Sequence, residues 1–120
     1  MSVESNKLLA EEWIRAFNDK QLDHLLSLYN DQAEHYSPKL KIAKPETKGL
    51  IKGKAALRAW WQDAFDRLPT LHYQLKKLTA DEDQVFMEYT RKVMGEADLF
   101  VGEVLELKNG KIVFSRVYHG

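Results

Sequence analysis

The stretch from Lys54 to Lys76, KAALRAWWQDAFDRLPTLHYQLK, holds the change of period that decides the fold. Leu57, Trp61, Ala64, Phe65 and Leu68 share one helical face, and Pro69 stops the helix. After Pro69 the period drops to two. Leu71, Tyr73 and Leu75 alternate with His72, Gln74 and Lys76, the pattern of a half-exposed strand.

Upstream the chain reads as helix. Leu9, Trp13, Ala16 and Phe17 recur at helical spacing with Ser5 available as a cap. Asp19 can cap a second helix with Leu22, Leu25, Leu26 and Tyr29 on one stripe. A short strand is expected from Ala33 to Ser37. Pro38, Pro45, Gly49 and Gly53 then mark a loop, with room for a short strand near Leu50 and Ile51.

Downstream the chain reads as strand. Asp81-Glu82-Asp83 turns into a strand from Val85 to Met94, Gly95-Glu96 turns again, and a long strand runs from Ala97 to Lys108. Asn109-Gly110 is a hairpin signal before the last strand, Lys111 to His119. Strands joined by such short turns are antiparallel. The expected order is α-α-β-α-β-β-β-β, an α+β fold with helices on one face of a mainly antiparallel sheet. The 120 residues fit one domain.

An apolar share of 44% beside 30% charged residues is that of a globular protein. Zero net charge argues against a general nucleic-acid binder, which needs surplus Lys and Arg against phosphate. The chain has no cysteine, so disulfides, thiolate nucleophiles and Cys-based zinc sites are excluded. Charged residues interrupt the first fifteen positions and no long apolar run exists, so neither a signal peptide nor a membrane span is expected, and a cytoplasmic location is.

Several segments in this order resemble the nuclear transport factor 2-like superfamily, with its SnoaL-like polyketide cyclases and ketosteroid isomerases. They are Trp13-Ile14-Arg15-Ala16-Phe17-Asn18, Leu22-Asp23, Leu28-Tyr29, Gly49 to Lys54, Leu57 to Trp61, and Gly110-Lys111-Ile112-Val113. The resemblance implies a cone-shaped domain with a pocket between helices and sheet. It implies no single activity, because the scaffold hosts many.

Glu103 is the sharpest chemical signal. Leu99, Val101, Glu103, Leu105 and Leu107 alternate on one strand face, which puts a carboxylate inside an apolar row. Burial raises a carboxyl pKa, and a raised pKa suits a general acid or base; a salt bridge to a neighbouring strand is the competing reading. By resemblance, Glu103 falls near the protonated acid of the ketosteroid isomerase oxyanion hole. Trp13 stands where that family has its tyrosine, and Ser37 where it has its base, so this chain departs from that residue set.

His35 and Ser37 share a strand face, the pocket side by resemblance, and imidazole exchanges protons near neutral pH. The place of His119 depends on hairpin register. A two-residue turn at Asn109-Gly110 sets Glu103 opposite Arg116. A three-residue loop with a glycine bulge brings Ser115, Val117 and His119 to its side instead, and is favoured because it leaves a coherent apolar set outside. The candidate catalytic residues are Glu103, His35 and His119; the candidate pocket wall is Trp13, Phe17, Ser37, Trp61, Val101 and Ser115.

The four histidines show no metal-binding spacing, and no cofactor motif is present. The lysines between Lys39 and Lys54 read as a solvated loop or as an attraction for an anion. Phe100, Val104, Ile112, Phe114 and Tyr118 form the apolar set on the outer sheet face, where a homodimer contact is expected. Two functions compete. One is acid/base catalysis on a small hydrophobic compound: isomerisation, cyclisation, dehydration or epoxide opening. The other is a non-catalytic ligand-binding or dimeric interaction module.

Overall fold

A computed structural model describes residues 2–120. Helix α1 (Val3–Asn18) starts from a capping box in which Ser2 is the cap and Ser5 bonds back to it, so the cap lies three residues before the one expected. Helix α2 (Leu22–Ser27) has Gln21 at its cap position with no side-chain bond, and Asp19 instead closes α1. Tyr29 does not belong to the α2 stripe. It opens strand β1 (Tyr29–Tyr36), which begins earlier than expected, and it is buried.

The segment read as a loop holds more structure. Ser37 caps helix α3 (Pro38–Ala43), and Pro38 sits in its first turn, where the missing N–H costs nothing. A 3-10 turn (Pro45–Thr47) and strand β2 (Leu50–Lys52) follow. Helix α4 (Lys54–Arg67) starts where the sequence put it. Strands β3 (His72–Ala80), β4 (Gln84–Lys92), β5 (Leu99–Lys108) and β6 (Lys111–His119) complete the chain.

The six strands form one sheet in the order β2-β1-β6-β5-β4-β3. All neighbours are antiparallel except β1 and β6, which run parallel. Helix α1 packs over β3 and β4, and α4 over β1 and β2. The apolar faces of α1, α2 and α4 meet the inward side chains of the sheet in one core. Asn6, buried in α1, donates to the carbonyls of Asp81 and Glu82 at the β3–β4 turn and so fixes the helix to the sheet edge.

Two irregularities decide which residues face inward. In β3 the register shifts between Leu75 and Lys77, which keeps Leu75 and Leu78 on the core side despite odd spacing. In β6 the hairpin closes with a two-residue turn, Lys108 opposite Lys111, with Asn109 and Gly110 both at positive φ (51° and 77°). The next pairs are Leu107 with Ile112 and Glu106 with Phe114, so Val113 is an extra residue and the strand flips parity there. The expected three-residue loop is therefore replaced by a tight turn followed by a bulge. The outcome for Glu103 is the favoured one: it lies opposite Val117, with Ser115 and Val117 facing inward.

The bulge also corrects the outer apolar set. Ile112 precedes the flip and is fully buried, and Arg116 lies on the outer face, paired with Glu106 and 4.4 Å from the Phe114 ring centre. An ion pair between Arg116 and Glu103 does not form.

Candidate functional site

The concave face of the sheet and the helices above it enclose a cavity of about 270 Å³. Its size falls just below the usual range of ligand pockets, roughly 300 to 1,000 Å³. The cavity draws on β1, β3, β4, β5 and β6 and on α1, α3 and α4, so its walls come from elements far apart in the chain.

One wall is aromatic. Phe17 stacks on Tyr73 with ring centres 4.0 Å apart, and Tyr73 stacks on Tyr89 at 4.2 Å. Trp13 lies parallel to Phe17 at 5.3 Å and meets Trp61 edge-on. The helical spacing of Trp13 and Phe17 delivers both rings to the same side of α1. Phe17, Tyr73 and Tyr89 thus form a stacked row that leads from the helix to the floor of the cavity.

Glu103 lies on that floor, 1% exposed. The Tyr89 hydroxyl donates to its Oε1 at 2.7 Å, and its Oε2 has no hydrogen-bond partner. Burial pushes the Glu103 carboxyl up to about 7, and only the Tyr89 bond opposes this. Tyr29, Tyr73 and Tyr89 are all raised, first by burial and then by the Glu103 charge, so each keeps its proton. The floor is therefore a carboxyl group titrating near neutrality among un-ionised phenols.

His35 is buried and lines the cavity, with Nδ1 hydrogen-bonded to the Ser115 hydroxyl. Burial holds its pKa down at about 4, so the ring is neutral across the physiological range. Ser115 is not part of the wall. It lies beneath, accepting from the Tyr29 hydroxyl, which in turn accepts from Trp13 Nε1. This chain of bonds runs from Trp13 through Tyr29 and Ser115 to His35, and it sets the orientation of the imidazole. Ser37 borders the cavity, and its hydroxyl accepts from the Lys39 amide as the α3 cap.

His119 lies at the mouth, more exposed, its pKa lowered first by burial and then by the charges of Lys39 and Arg91. Thus Glu103, His35, His119, Trp13, Phe17, Ser37, Trp61 and Val101 all border one cavity, and Ser115 alone of the expected set does not. Among the described residues, no group of three or more His, Asp or Glu side chains is arranged to hold a metal ion.

Sequence reasoning missed Tyr73, Tyr89 and Arg91. Arg91 follows Val85, Met87 and Tyr89 on the inward parity of β4, a charge in an apolar row, which is the same signal that marks Glu103. Its side chain is only 8% exposed, and its Nη1 donates to Glu96 Oε1 at 2.8 Å.

The profile of the SnoaL-like domain matches residues 10–115. The chain belongs to the SnoaL-like domain family. Among solved structures, this SnoaL-like chain is similar to a SnoaL-like protein of unknown function from Burkholderia thailandensis. The identity is 28%, the TM-score 0.86, and the match covers 100% of this chain and 98% of the other. It is also similar to a candidate ketosteroid isomerase from Kribbella flavida (17% identity, TM-score 0.81, covering 98% and 79%). A candidate polyketide cyclase from Sinorhizobium meliloti has 14% identity and a TM-score of 0.78, covering 92% and 93%. The two remoter likenesses concern the fold alone. Among curated proteins none matches the sequence. No helix of this SnoaL-like chain, among the described residues, is long and apolar enough to cross a membrane.

Proposed function

We propose that the protein is a general acid/base enzyme acting on a small, largely apolar compound that carries an oxygen function. The observation that carries this reading is Glu103: buried on the cavity floor, its carboxyl pushed up by that burial, with Oε1 held by Tyr89 and Oε2 unpartnered. In the protonated acid, Oε1 accepts from Tyr89 and the Oε2 hydroxyl is free to donate to a ligand oxygen. Donation of this kind favours developing negative charge on a carbonyl or epoxide oxygen. After loss of the proton, the same group serves as a base. Isomerisation, cyclisation, dehydration and epoxide opening all draw on that pair of states. The stacked row from Phe17 to Tyr89 supplies the cavity with a wall of apolar ring edges against which such a compound packs.

His35 takes part as a neutral group on the wall, bonded through Nδ1 and offering Nε2 as a polar contact for the ligand. His119 is the candidate proton exchanger at the mouth. The experiment is α-proton exchange of the cyclic ketone 2-tetralone in deuterated buffer near neutral pH, followed by NMR. Wild-type protein should accelerate exchange, and Glu103→Gln should lower the enhancement about a hundredfold or more, the usual contribution of a positioned acid or base. Equal rates for the two proteins would remove Glu103 from the mechanism.

A second reading, ligand binding without turnover, is favoured by the engagement of the Trp13 indole with Tyr29 and of Ser37 with the α3 cap. The positions that resemble the isomerase tyrosine and base carry other work here. Binding of apolar ketones with no exchange in either protein would select this reading.

The assembly is proposed to be a homodimer through the outer sheet face, located in the cytoplasm. Phe100 and Tyr118 are 70% and 50% exposed, and half-buried Val104 and Phe114 lie beside them. Glu106 and Arg116 on the same face provide charges of both signs, which a two-fold contact can pair. Light scattering at micromolar concentration should give about twice the chain mass of 14.0 kDa. A mass of one chain would contradict the dimer.

A further inference from the structure

Arg91 has no role in the acid/base reading, yet it is a nearly buried cation in the wall of the same cavity. Its one carboxylate partner, Glu96, lies on the turn between β4 and β5 with 45% of its side chain exposed. Lys39 and Arg67 also border the cavity, and Lys39 acts electrostatically on both Glu96 and His119. Among the described residues, Glu96 and Glu103 are the acidic ones on the lining. Three cations, Lys39, Arg67 and Arg91, stand against these two carboxyls, so the lining carries more positive than negative charge.

We propose that the ligand is a carboxylic acid, its carboxylate taken by Arg91 at the mouth and its oxygen function directed to Glu103 on the floor. The inference rests on the acid/base reading of that floor and names its substrate class. A carboxylate fits the guanidinium fork, and Glu96 already holds Nη1 with one. Glu96 acts as a stand-in, partly solvated and carried on a turn, which an incoming acid displaces or joins. The carboxyl of Glu96 is held below its usual range, first by this hydrogen bond, as expected for a group presented to a desolvated cation.

The register sets the reach. Glu103 pairs with Met87, and Arg91 lies four residues along the same strand, a span of roughly 13 Å between backbone positions. Both residues line the cavity at the two ends of this span, which suits an acid of two fused rings. The aromatic row from Tyr73 to Tyr89 lies along that path.

The test is calorimetric titration of naphthalene-2-carboxylate and of its neutral methyl ester into wild type, Arg91→Gln and Glu96→Gln. Wild type should bind the acid at least ~10-fold more tightly than the ester, the usual scale of a charge-assisted pair. That preference should vanish in Arg91→Gln. In Glu96→Gln the acid should bind several-fold more tightly while the ester does not change, a readout that stands even if the Arg91 variant fails to fold. Equal wild-type affinity for acid and ester, or an unchanged acid affinity in Glu96→Gln, would overturn the inference and leave the pocket reading in place. Binding of neither compound would remove the pocket reading together with it.

Discussion

Glu103→Gln will stabilise the protein at pH 8 by about 3 kcal/mol and leave it nearly unchanged at pH 4. The folded chain holds the Glu103 proton up to about pH 7, whereas an unfolded chain releases it near 4.5. Between those values the native state binds more protons than the unfolded state. The contribution of Glu103 is therefore complete below about pH 4.5 and is lost as pH rises through 7. Above 7 the fold contains a buried carboxylate with a single donor, Tyr89. Glutamine keeps the shape and the acceptor for Tyr89 without ever ionising, so it removes that loss.

His35 works in the opposite direction. Its folded pKa of about 4 lies below the ordinary 6.5, so its contribution is present above 6.5 and is lost as pH falls through 4. In wild type the two slopes oppose each other between about 4.5 and 6.5, and stability should vary little there. In Glu103→Gln only the His35 slope remains of this pair, and stability should climb with pH. Chemical denaturation at a series of pH values separates these profiles. A variant less stable than wild type at pH 8 would contradict the account.

Trp13→Ala will cost about 4 kcal/mol, a large share of the roughly 5–15 kcal/mol that holds a domain of this kind together. Trp13 is buried, lies parallel to Phe17 and Tyr73, meets Trp61 edge-on, and donates to Tyr29. Alanine removes the whole ring, the aromatic contacts worth about 0.5–1.5 kcal/mol each, and a buried hydrogen bond. Trp13→Phe keeps most of the packing and should cost about 1–2 kcal/mol. Urea unfolding followed by far-ultraviolet circular dichroism measures both. A loss below about 2 kcal/mol for the alanine variant would mean that Trp13 is wall rather than core.

The sequence carried the fold where local chemistry is unambiguous. Pro69 separates the two periods, and Asn109-Gly110 supplies the positive φ values that its hairpin turn requires. Segment 38–47 was illegible for the converse reason. Its prolines and lysines read as loop, although Pro38 stands at the helix position where proline is tolerated and Ser37 caps it. Tyr29 fits a helical stripe by spacing, and only pairing with Ile112 draws it into a strand.

The site was legible in part. Glu103 shows itself by interrupting an apolar alternation, and the structure finds it buried. Which residues of β6 join it depends on the extra residue Val113, and a bulge leaves no mark in an alternating pattern. Ile112 moved to the buried side for that reason alone, whereas Ser115 kept the inward side expected of it. Tyr89 and Arg91 enter through register between β4 and β5, a long-range fact that sequence order does not contain, even though the charge of Arg91 on an inward position was there to be read.

The central claim is that the cavity floor holds a carboxyl group that exchanges its proton near neutral pH. Carbon-detected NMR of the Glu103 side-chain carboxyl, titrated from acid to base and assigned by its absence in Glu103→Gln, measures this directly. The structure predicts a midpoint of about 7. A midpoint at or below the ordinary 4.5 would contradict it, and would make Glu103 a fixed anion with no proton to give at neutral pH.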